Sequence, residues 1–193
     1  MTDAPKTLVF AGSTREASFN RRLAAAAASC LEAAGGEVTL LELSDYPLPL
    51  YDGDLEARDG LPGPALQLRE IFMAHQGLLI AAPEYNSSIT PLLKNVIDWV
   101  SRAPAGEQGL APYGGKCAAL VSASPGGFGG MRGLAAVRSI LASIGVIVLP
   151  DQFALARAHD AFTSNGELVD DGQQARLDRV VGALHSILTR LHS

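Results

Sequence analysis

The first feature of this chain that suggests chemistry is a polar segment close to its start. Residues 11–20 read AGSTREASFN and lie between the apolar run 7–10 and an alanine-rich run that begins at Arg21. This order predicts a strand that turns into a helix, and a helix start presents free backbone N–H groups and partial positive charge. The segment 11–20 is therefore a candidate anion site.

The side chains of this segment add further donors to those of the backbone. Ser13, Thr14 and Ser18 carry hydroxyl groups, and Arg15 carries a charged, planar fork that matches the oxygens of a phosphate. The alternative is a plain turn in which Ser18 or Asn20 caps the helix. Four side-chain donors in six positions are more than a cap requires, which favours phosphate binding.

Two further loops follow predicted strands and have unusual compositions. Residues 83–89 read PEYNSSI after the apolar run 77–82, and residues 122–130 read SASPGGFGG after the apolar run that begins at 116. In a parallel sheet, ligands bind beyond the carboxyl ends of the strands, so we expect the three loops to form one site. The glycine-rich loop would let a flat ring approach its backbone closely.

Each of these loops also has a simpler interpretation. Tyr85 fits an exposed loop aromatic, Asn86 fits a turn residue, and the four glycines of 126–130 fit a flexible turn. A shared site is favoured because the three loops follow the first, third and fourth predicted strands, on one edge of the sheet. Independent turns would have no reason to share that edge.

The elements that must position these loops alternate along the chain. Apolar runs predict strands at about 6–12, 38–43, 77–82, 116–122 and 145–149. Apolar periodicity and end signals predict helices at about 18–34, 64–75, 90–102, 130–144 and 170–191. The alternation predicts a single α/β domain over residues 1–193, with a flavodoxin-like, doubly wound parallel sheet of five strands in the order 2-1-3-4-5 and helices on both faces.

Two segments lack regular signals. Residues 44–63 contain several prolines and glycines and predict a long loop of the kind that often has a function. Residues 151–167 are also irregular, and a short extra strand followed by a loop is one interpretation.

Composition excludes several classes of function. The net charge of −5 and the aromatic content of 6% argue against a nucleic-acid surface, and the chain has no apolar run of the length that a membrane helix needs. The N-terminus lacks the pattern of a signal peptide, so we expect a cytoplasmic protein. Cys30, Cys117 and the four histidines show no metal-ligand spacing, and both cysteines are predicted to be small buried residues.

Four short motifs occur in a fixed order along the chain. They are GSxRxxSxNxxLA at 12–24, LPLY at 48–51, PEYNSSI at 83–89 and LKNxIDW at 93–99. Together they resemble the NAD(P)H-dependent FMN reductases, a family that includes chromate, quinone and azo-dye reductases. The resemblance covers roughly residues 6–152. One departure is Thr90-Pro91, where the family often has Pro-Gly, which puts the contacts of Ile89 and Thr90 in question.

The resemblance implies FMN as cofactor, NADPH or NADH as co-substrate, and roles for individual residues. The FMN phosphate would be held by Ser13, Arg15, Ser18 and Asn20. The ribityl chain and one edge of the isoalloxazine ring would be lined by Pro83, Glu84, Tyr85, Asn86 and Ser87. The other side of the ring would be flanked by Ser124, Gly126 and Gly127.

The activity implied is hydride transfer from NAD(P)H to FMN, followed by electron transfer to a small acceptor such as a quinone, a flavin, an azo compound or a metal oxyanion. This chemistry requires no side chain as acid, base or nucleophile, and no metal. Two alternatives stay open, a flavodoxin-type electron carrier reduced by a protein partner and a non-enzymatic ligand-binding module.

The resemblance also implies a homodimer or a dimer of dimers, with Ile97 and Trp99 near the subunit contact. The extra phosphate of NADPH would need a cation, and Arg58, Arg102 and Arg132 are the candidates.

Overall fold

The computed structural model describes residues 4–192. Its main sheet has five parallel strands in the order β2-β1-β3-β6-β7, which are β1 (Lys6–Ala11), β2 (Glu37–Leu41), β3 (Gly77–Ala81), β6 (Cys117–Ala123) and β7 (Ile147–Leu155). Two further strands, β4 (Glu84–Tyr85) and β5 (Ser88–Ile89), form a separate antiparallel hairpin. The predicted order of the five parallel strands, 2-1-3-4-5, is therefore confirmed.

Six α-helices accompany the strands. They are α1 (Phe19–Ala33), α2 (Gly53–Asp59), α3 (Gly63–Met73), α4 (Pro91–Val100), α5 (Met131–Ser143) and α6 (Asp171–His192). Helices α1 and α6 share one hydrophobic core with the sheet, and α3, α4 and α5 share the other. The sheet is thus covered on both faces, as the alternation of strands and helices predicts.

The burial of each strand follows from its place in the sheet. Every residue of the central strands β3 and β6 is buried, because helices cover both of their faces. The edge strands β2 and β7 carry several exposed residues. Strand β1 is also buried from residue 7 onward, so the carboxyl ends of β1, β3 and β6, from which the three loops start, are held rigidly.

The fifth parallel strand is longer than the sequence predicts. It was expected to end at 149, but β7 continues to Leu155, with an irregularity in its pairing with β6 between Ala118 and Leu120. Pro150 lies within β7 and has no N–H to donate, which an edge strand tolerates. The strand suggested within 151–167 is therefore present at 151–155, but it continues β7 instead of forming an extra strand.

The segment 44–63 is also more regular than expected. Helix α2 occupies its second half, with Asp52 as its N-cap and Gly60 after its last turn. The preceding stretch is fixed on α4, since Asn95 Nδ2 and Trp99 Nε1 each donate to the Pro49 carbonyl at 2.8 Å. The expectation of one long loop here is wrong.

Candidate functional site

Gly12, at the end of β1, sets how closely the first loop approaches the rest of the sheet edge. Its N–H donates to the Ala81 carbonyl at 2.9 Å. A Cβ atom at Gly12 would lie 3.0 Å from Leu93 Cβ and 3.2 Å from Pro83 Cδ. The absence of a side chain at Gly12 therefore lets the first loop rest directly against the second loop and α4.

The first loop leaves most of its donors without a partner. The backbone N–H groups of residues 13, 14, 16 and 17 have no acceptor among residues 4–192. The Arg15 side chain is exposed and has no ion-pair partner in the same range. Half-buried Ser13 and buried Ser18 flank this stretch, and Ser18 Oγ accepts the Arg21 N–H at 3.3 Å as the N-cap of α1. The capping interpretation of Ser18 is confirmed, and the Ser18 O–H still has a proton to donate to a ligand.

Asn20 is buried and already bonded to the protein. Its Nδ2 donates to the Ala123 carbonyl at 2.8 Å, and its Oδ1 accepts the Ala123 N–H at 2.9 Å. Both polar atoms of the side chain are thus used at the end of β6. Asn20 therefore joins the start of α1 to the end of β6, and the second N–H of its Nδ2 has no acceptor among residues 4–192.

The second loop is a tight hairpin. Asn86 and Ser87 have φ angles of 50° and 65°, as expected for a two-residue turn that needs left-handed backbone at both central positions. Tyr85 is 48% exposed beside this turn, and Pro83 is buried against Gly12. The turn interpretation of Asn86 and the exposed-aromatic interpretation of Tyr85 therefore describe the conformation of the loop correctly.

Glu84 joins the second loop to α5. Its Oε2 accepts the N–H groups of Arg132 at 3.0 Å and Gly133 at 3.1 Å, and its Oε1 accepts Arg132 Nε at 2.9 Å. Burial alone would raise the pKa of Glu84, but the Gly133 amide and the Arg132 side chain outweigh it and lower this pKa below 4.5. The carboxylate is committed to α5, so only the backbone of Glu84 is available to line a ligand.

The glycines of the third loop fall into two kinds. Gly129 and Gly130 are buried with φ angles of 60° and 89°, and a Cβ atom at Gly129 would lie 2.8 Å from the Ala154 backbone. Gly126 and Gly127 are exposed, and a Cβ atom at Gly127 would meet nothing within 4 Å. The first pair shapes the loop, and the second pair borders open space where a flat group can approach.

Ser122 and Ser124 hold the third loop in place from its first residues. Ser122 Oγ donates to the Gly129 carbonyl at 2.6 Å, and half-buried Ser124 Oγ accepts the Gly126 N–H at 3.2 Å. Ser122 is entirely buried. The loop therefore has a defined shape rather than that of a flexible turn.

Thr90 is a positioning residue that sequence reasoning missed. Its Oγ1 accepts the Leu93 N–H at 3.3 Å as the N-cap of α4 and donates to the Gly12 carbonyl at 2.9 Å. Pro91 occupies the first turn, where a missing N–H costs nothing. The departure from the family pattern therefore gives a well-formed helix start that is bonded to the first loop. The signal was present in the sequence, because Thr-Pro is a common helix start.

The candidate cations for the extra phosphate of NADPH have partners elsewhere. Arg58 pairs with Asp59 at 2.8 Å, Arg102 with Glu56 at 2.9 Å, and Arg132 with Glu84 at 2.7 Å. Arg58 and Arg102 lie on or beside α2, away from the three loops. Arg132 lies at the loops, where its guanidinium is 5.0 Å from the centre of the Phe128 ring.

The two cysteines differ in burial. Cys117 is buried as predicted, but Cys30 is only half-buried, and its Sγ accepts Gln174 Nε2 at 3.2 Å. Burial and the neighbouring Asp178 raise the pKa of Cys30 to about 11. Within residues 4–192, no group of three His, Cys, Asp or Glu side chains could hold a metal. None of the helices described is both long and apolar enough to cross a bilayer.

Comparisons with known proteins agree on one family. The sequence pattern described as NADPH-dependent FMN reductase matches residues 5–160. The chain is 36% identical over 192 residues to a NAD(P)H-dependent FMN reductase of Pseudomonas aeruginosa, covering 99% of each protein. It is 31% identical over 186 residues to the quinone reductase of Escherichia coli, covering 95% of this chain and 94% of that one. Its fold matches the solved structure of FerB, a flavoenzyme NAD(P)H:(acceptor) oxidoreductase from Paracoccus denitrificans, with a TM-score of 0.81, 29% identity and coverage of 98% and 99% of the two chains.

Proposed function

The chain belongs to the NADPH-dependent FMN reductase family, and on this premise we propose that it is an FMN-dependent oxidoreductase that oxidises NAD(P)H and reduces a small acceptor. When bound, FMN supplies the redox chemistry, because it accepts a hydride and passes the electrons on. The task of the protein is to bind, orient and polarise the participants.

The observation that carries this proposal is the set of hydrogen-bond donors without a partner in the first loop, between β1 and α1. Four backbone N–H groups and the Arg15 guanidinium have no acceptor among the described residues, at a helix start that favours an anion. The hydroxyls of Ser13 and Ser18 flank them. We propose that these groups hold the FMN phosphate, with Arg15 as the charged member.

The rest of the cofactor would lie along the second and third loops. The backbone of Pro83 and Glu84 and the Tyr85-Asn86-Ser87 turn would line the ribityl chain and one ring edge. Ser124, Gly126 and Gly127 would flank the ring on the other side, since both glycines are exposed and a Cβ atom at Gly127 would meet nothing within 4 Å. Asn20, Thr90 and Glu84 would act as positioning residues, because their side chains bond to the protein.

The Gly127 N–H has no acceptor among the described residues and would stabilise negative charge that develops on the ring, as an oxyanion hole does, whereas the Gly126 N–H already donates to Ser124 Oγ. The proposed chemistry needs no side chain to transfer a proton. We assign no catalytic acid, base or nucleophile for that reason.

The surroundings of the third loop favour a planar, uncharged acceptor of the quinone class. Phe128, Met131 and Tyr85 are 63%, 49% and 48% exposed, and the charge of Arg132 is balanced by Glu84. Apolar side chains at the mouth of a site stabilise a flat apolar ligand. Free flavins, azo compounds and metal oxyanions are the other acceptors to compare.

The test is an anaerobic visible absorbance spectrum of the FMN-loaded protein before and after NADPH or NADH is added. We expect the bound flavin band to bleach and to return when a quinone is supplied. A retained flavin that neither nucleotide bleaches would point to the electron carrier. Failure to retain flavin would favour the ligand-binding module and contradict the proposal.

We further propose a cytoplasmic homodimer, or a dimer of dimers. Leu50 is 79% exposed beside the segment fixed on α4, which suits a subunit contact. Ile97 and Trp99 are buried within the single chain, so they would support such a contact from behind. Both cysteines are unpaired, which is typical of a reducing compartment. A solution mass that stays monomeric at micromolar concentration would contradict the dimer.

A further inference from the structure

Arg157 lies beside the third loop, just after the end of β7. Its N–H donates to the Gly126 carbonyl at 3.4 Å, and the next N–H, of Ala158, donates to the Ser124 carbonyl at 3.1 Å. The backbone at Arg157 is therefore joined to the part of the third loop that borders open space. No motif in the sequence pointed to this residue.

The backbone conformation at Arg157 is unusual for its residue type. Its φ and ψ angles are 50° and 44°, in the left-handed region that glycine, asparagine and aspartate adopt most easily. Glycine would satisfy this turn without strain. A long charged side chain at such a position, at the edge of a ligand site, indicates that the side chain itself has a use.

The charge of Arg157 is not balanced locally. The side chain is exposed, and its guanidinium has no hydrogen-bond or ion-pair partner among residues 4–192. The nearest acid along its segment, Asp160, pairs with His159 at 3.0 Å. Arg132, the other cation near the third loop, is held by Glu84 at 2.7 Å.

We propose that Arg157 binds a phosphate group of the nicotinamide co-substrate. The planar guanidinium can bond two phosphate oxygens at once, and an unpaired one does not first have to leave another partner. The phosphate has two possible sources, the 2′-phosphate that only NADPH carries or the pyrophosphate that NADPH and NADH share. This inference rests on the proposed use of NAD(P)H.

The experiment measures equilibrium binding of NADP⁺ and NAD⁺ to FMN-loaded protein by calorimetry, with FMN affinity and melting temperature recorded for each variant. Arg157→Asn removes the charge and tolerates left-handed backbone, and Arg157→Lys keeps the charge without the planar fork. Arg179→Asn is the matched control, because Arg179 is also exposed and without a partner among the described residues but lies on α6.

We expect Arg157→Asn to weaken NADP⁺ binding about tenfold, as the loss of one charge-assisted phosphate contact predicts. The NADP⁺ affinity of Arg157→Lys should lie between those of Arg157→Asn and the wild type. Arg179→Asn should bind NADP⁺ as tightly as the wild type does. If only NADP⁺ binding weakens, the ligand of Arg157 is the 2′-phosphate. If NAD⁺ binding weakens equally, the ligand is the pyrophosphate.

Three results would overturn the inference. The first is unchanged binding of both nucleotides to Arg157→Asn, and the second is an equal loss in the Arg179→Asn control. The third is a loss of FMN affinity in Arg157→Asn, which would assign the side chain to the flavin. A wild-type protein that retains FMN but binds neither nucleotide would contradict the proposed function itself, and the inference would fall with it.

Discussion

Two loops of this protein lie around an arginine and differ in whether they bond to it: the loop after α4, residues 101–109, encloses Arg69 of α3, and the first loop carries Arg15. Arg69 is only 3% exposed, and its guanidinium donates to the carbonyls of Val100 at 2.9 Å and Gly109 at 3.0 Å and to the Glu107 carboxylate at 3.1 Å. Arg15 is exposed and has no such partner among residues 4–192. The loop that satisfies its arginine is structural, whereas the loop that leaves both arginine and amides unpaired is prepared for an anion.

The sharpest test of this comparison is Arg69→Ala. It should lower the free energy of unfolding by about 3–5 kcal/mol, because buried carbonyls lose their donor. FMN affinity of the folded protein should stay unchanged, since no hydrogen-bond partner of Arg69 belongs to the three loops of the candidate site. Urea unfolding measures the first effect and flavin fluorescence titration the second. Arg58→Ala, at an exposed pair, is the control and should leave the free energy of unfolding nearly unchanged. A loss below about 1 kcal/mol in Arg69→Ala would mean that this loop does not depend on its arginine.

Asn20→Ala tests whether Asn20 supports FMN binding by keeping the first and third loops at a fixed distance. It leaves the N–H and carbonyl of Ala123 without a partner and should lower stability by about 2 kcal/mol. FMN binding should weaken as well, because the first and third loops lose their fixed spacing. Urea unfolding of the FMN-free protein separates the two roles. Weaker FMN binding with unchanged stability would instead make Asn20 a direct phosphate ligand.

Arg15→Ala tests the open loop directly. We expect FMN binding to weaken about tenfold or more, since one charge-assisted phosphate contact is lost. Stability of the FMN-free protein should change by less than about 0.5 kcal/mol, because the side chain has nothing to release. Flavin fluorescence titration reports the affinity, with Arg179→Ala as control. Unchanged FMN affinity would remove Arg15 from the phosphate site.

The smallest expected effect is the pH dependence contributed by Glu84. Its pKa is lowered in the folded protein, so its contribution to stability is present above its ordinary pKa of 4.5. That contribution is lost as the pH falls through the lowered pKa, since the unfolded chain takes up the proton first. Between about pH 5 and pH 3, the wild type should therefore lose more melting temperature than Glu84→Gln. Parallel curves would show that the pair with Arg132 contributes nothing.

Most of the sheet could be predicted from the sequence because its central strands are continuous apolar runs. The hairpin of β4 and β5 was missed, since two-residue strands are too short to show any periodicity. Helix α2 was missed although Asp52 and Gly60 are good end signals, because no apolar stripe accompanies them and none of its residues is buried. The fifth strand continues past its predicted end at 149 because β7 lies at the edge of the sheet, where Pro150 is tolerated within a strand.

The positions of the site loops were predictable, but the use of each side chain was not. The composition of the loops predicted correctly that Arg15 and Gly127 are exposed, because residues that follow the end of a strand lie at the surface. The partners of Asn20 and Glu84 lie 103 and about 48 residues away in sequence, and no local pattern encodes such a bond. Arg157 was overlooked because its residue type gives no sign of its left-handed backbone.

The bond between Asn20 and Ala123 has a consequence for the order of events in the cell. A ribosome adds about 5–20 residues per second, so the 103 residues between the two ends of this bond take roughly five to twenty seconds to synthesise. During that time the first loop exists without β6, the strand to which Asn20 joins it. We therefore expect flavin to be loaded onto completed chains rather than during synthesis.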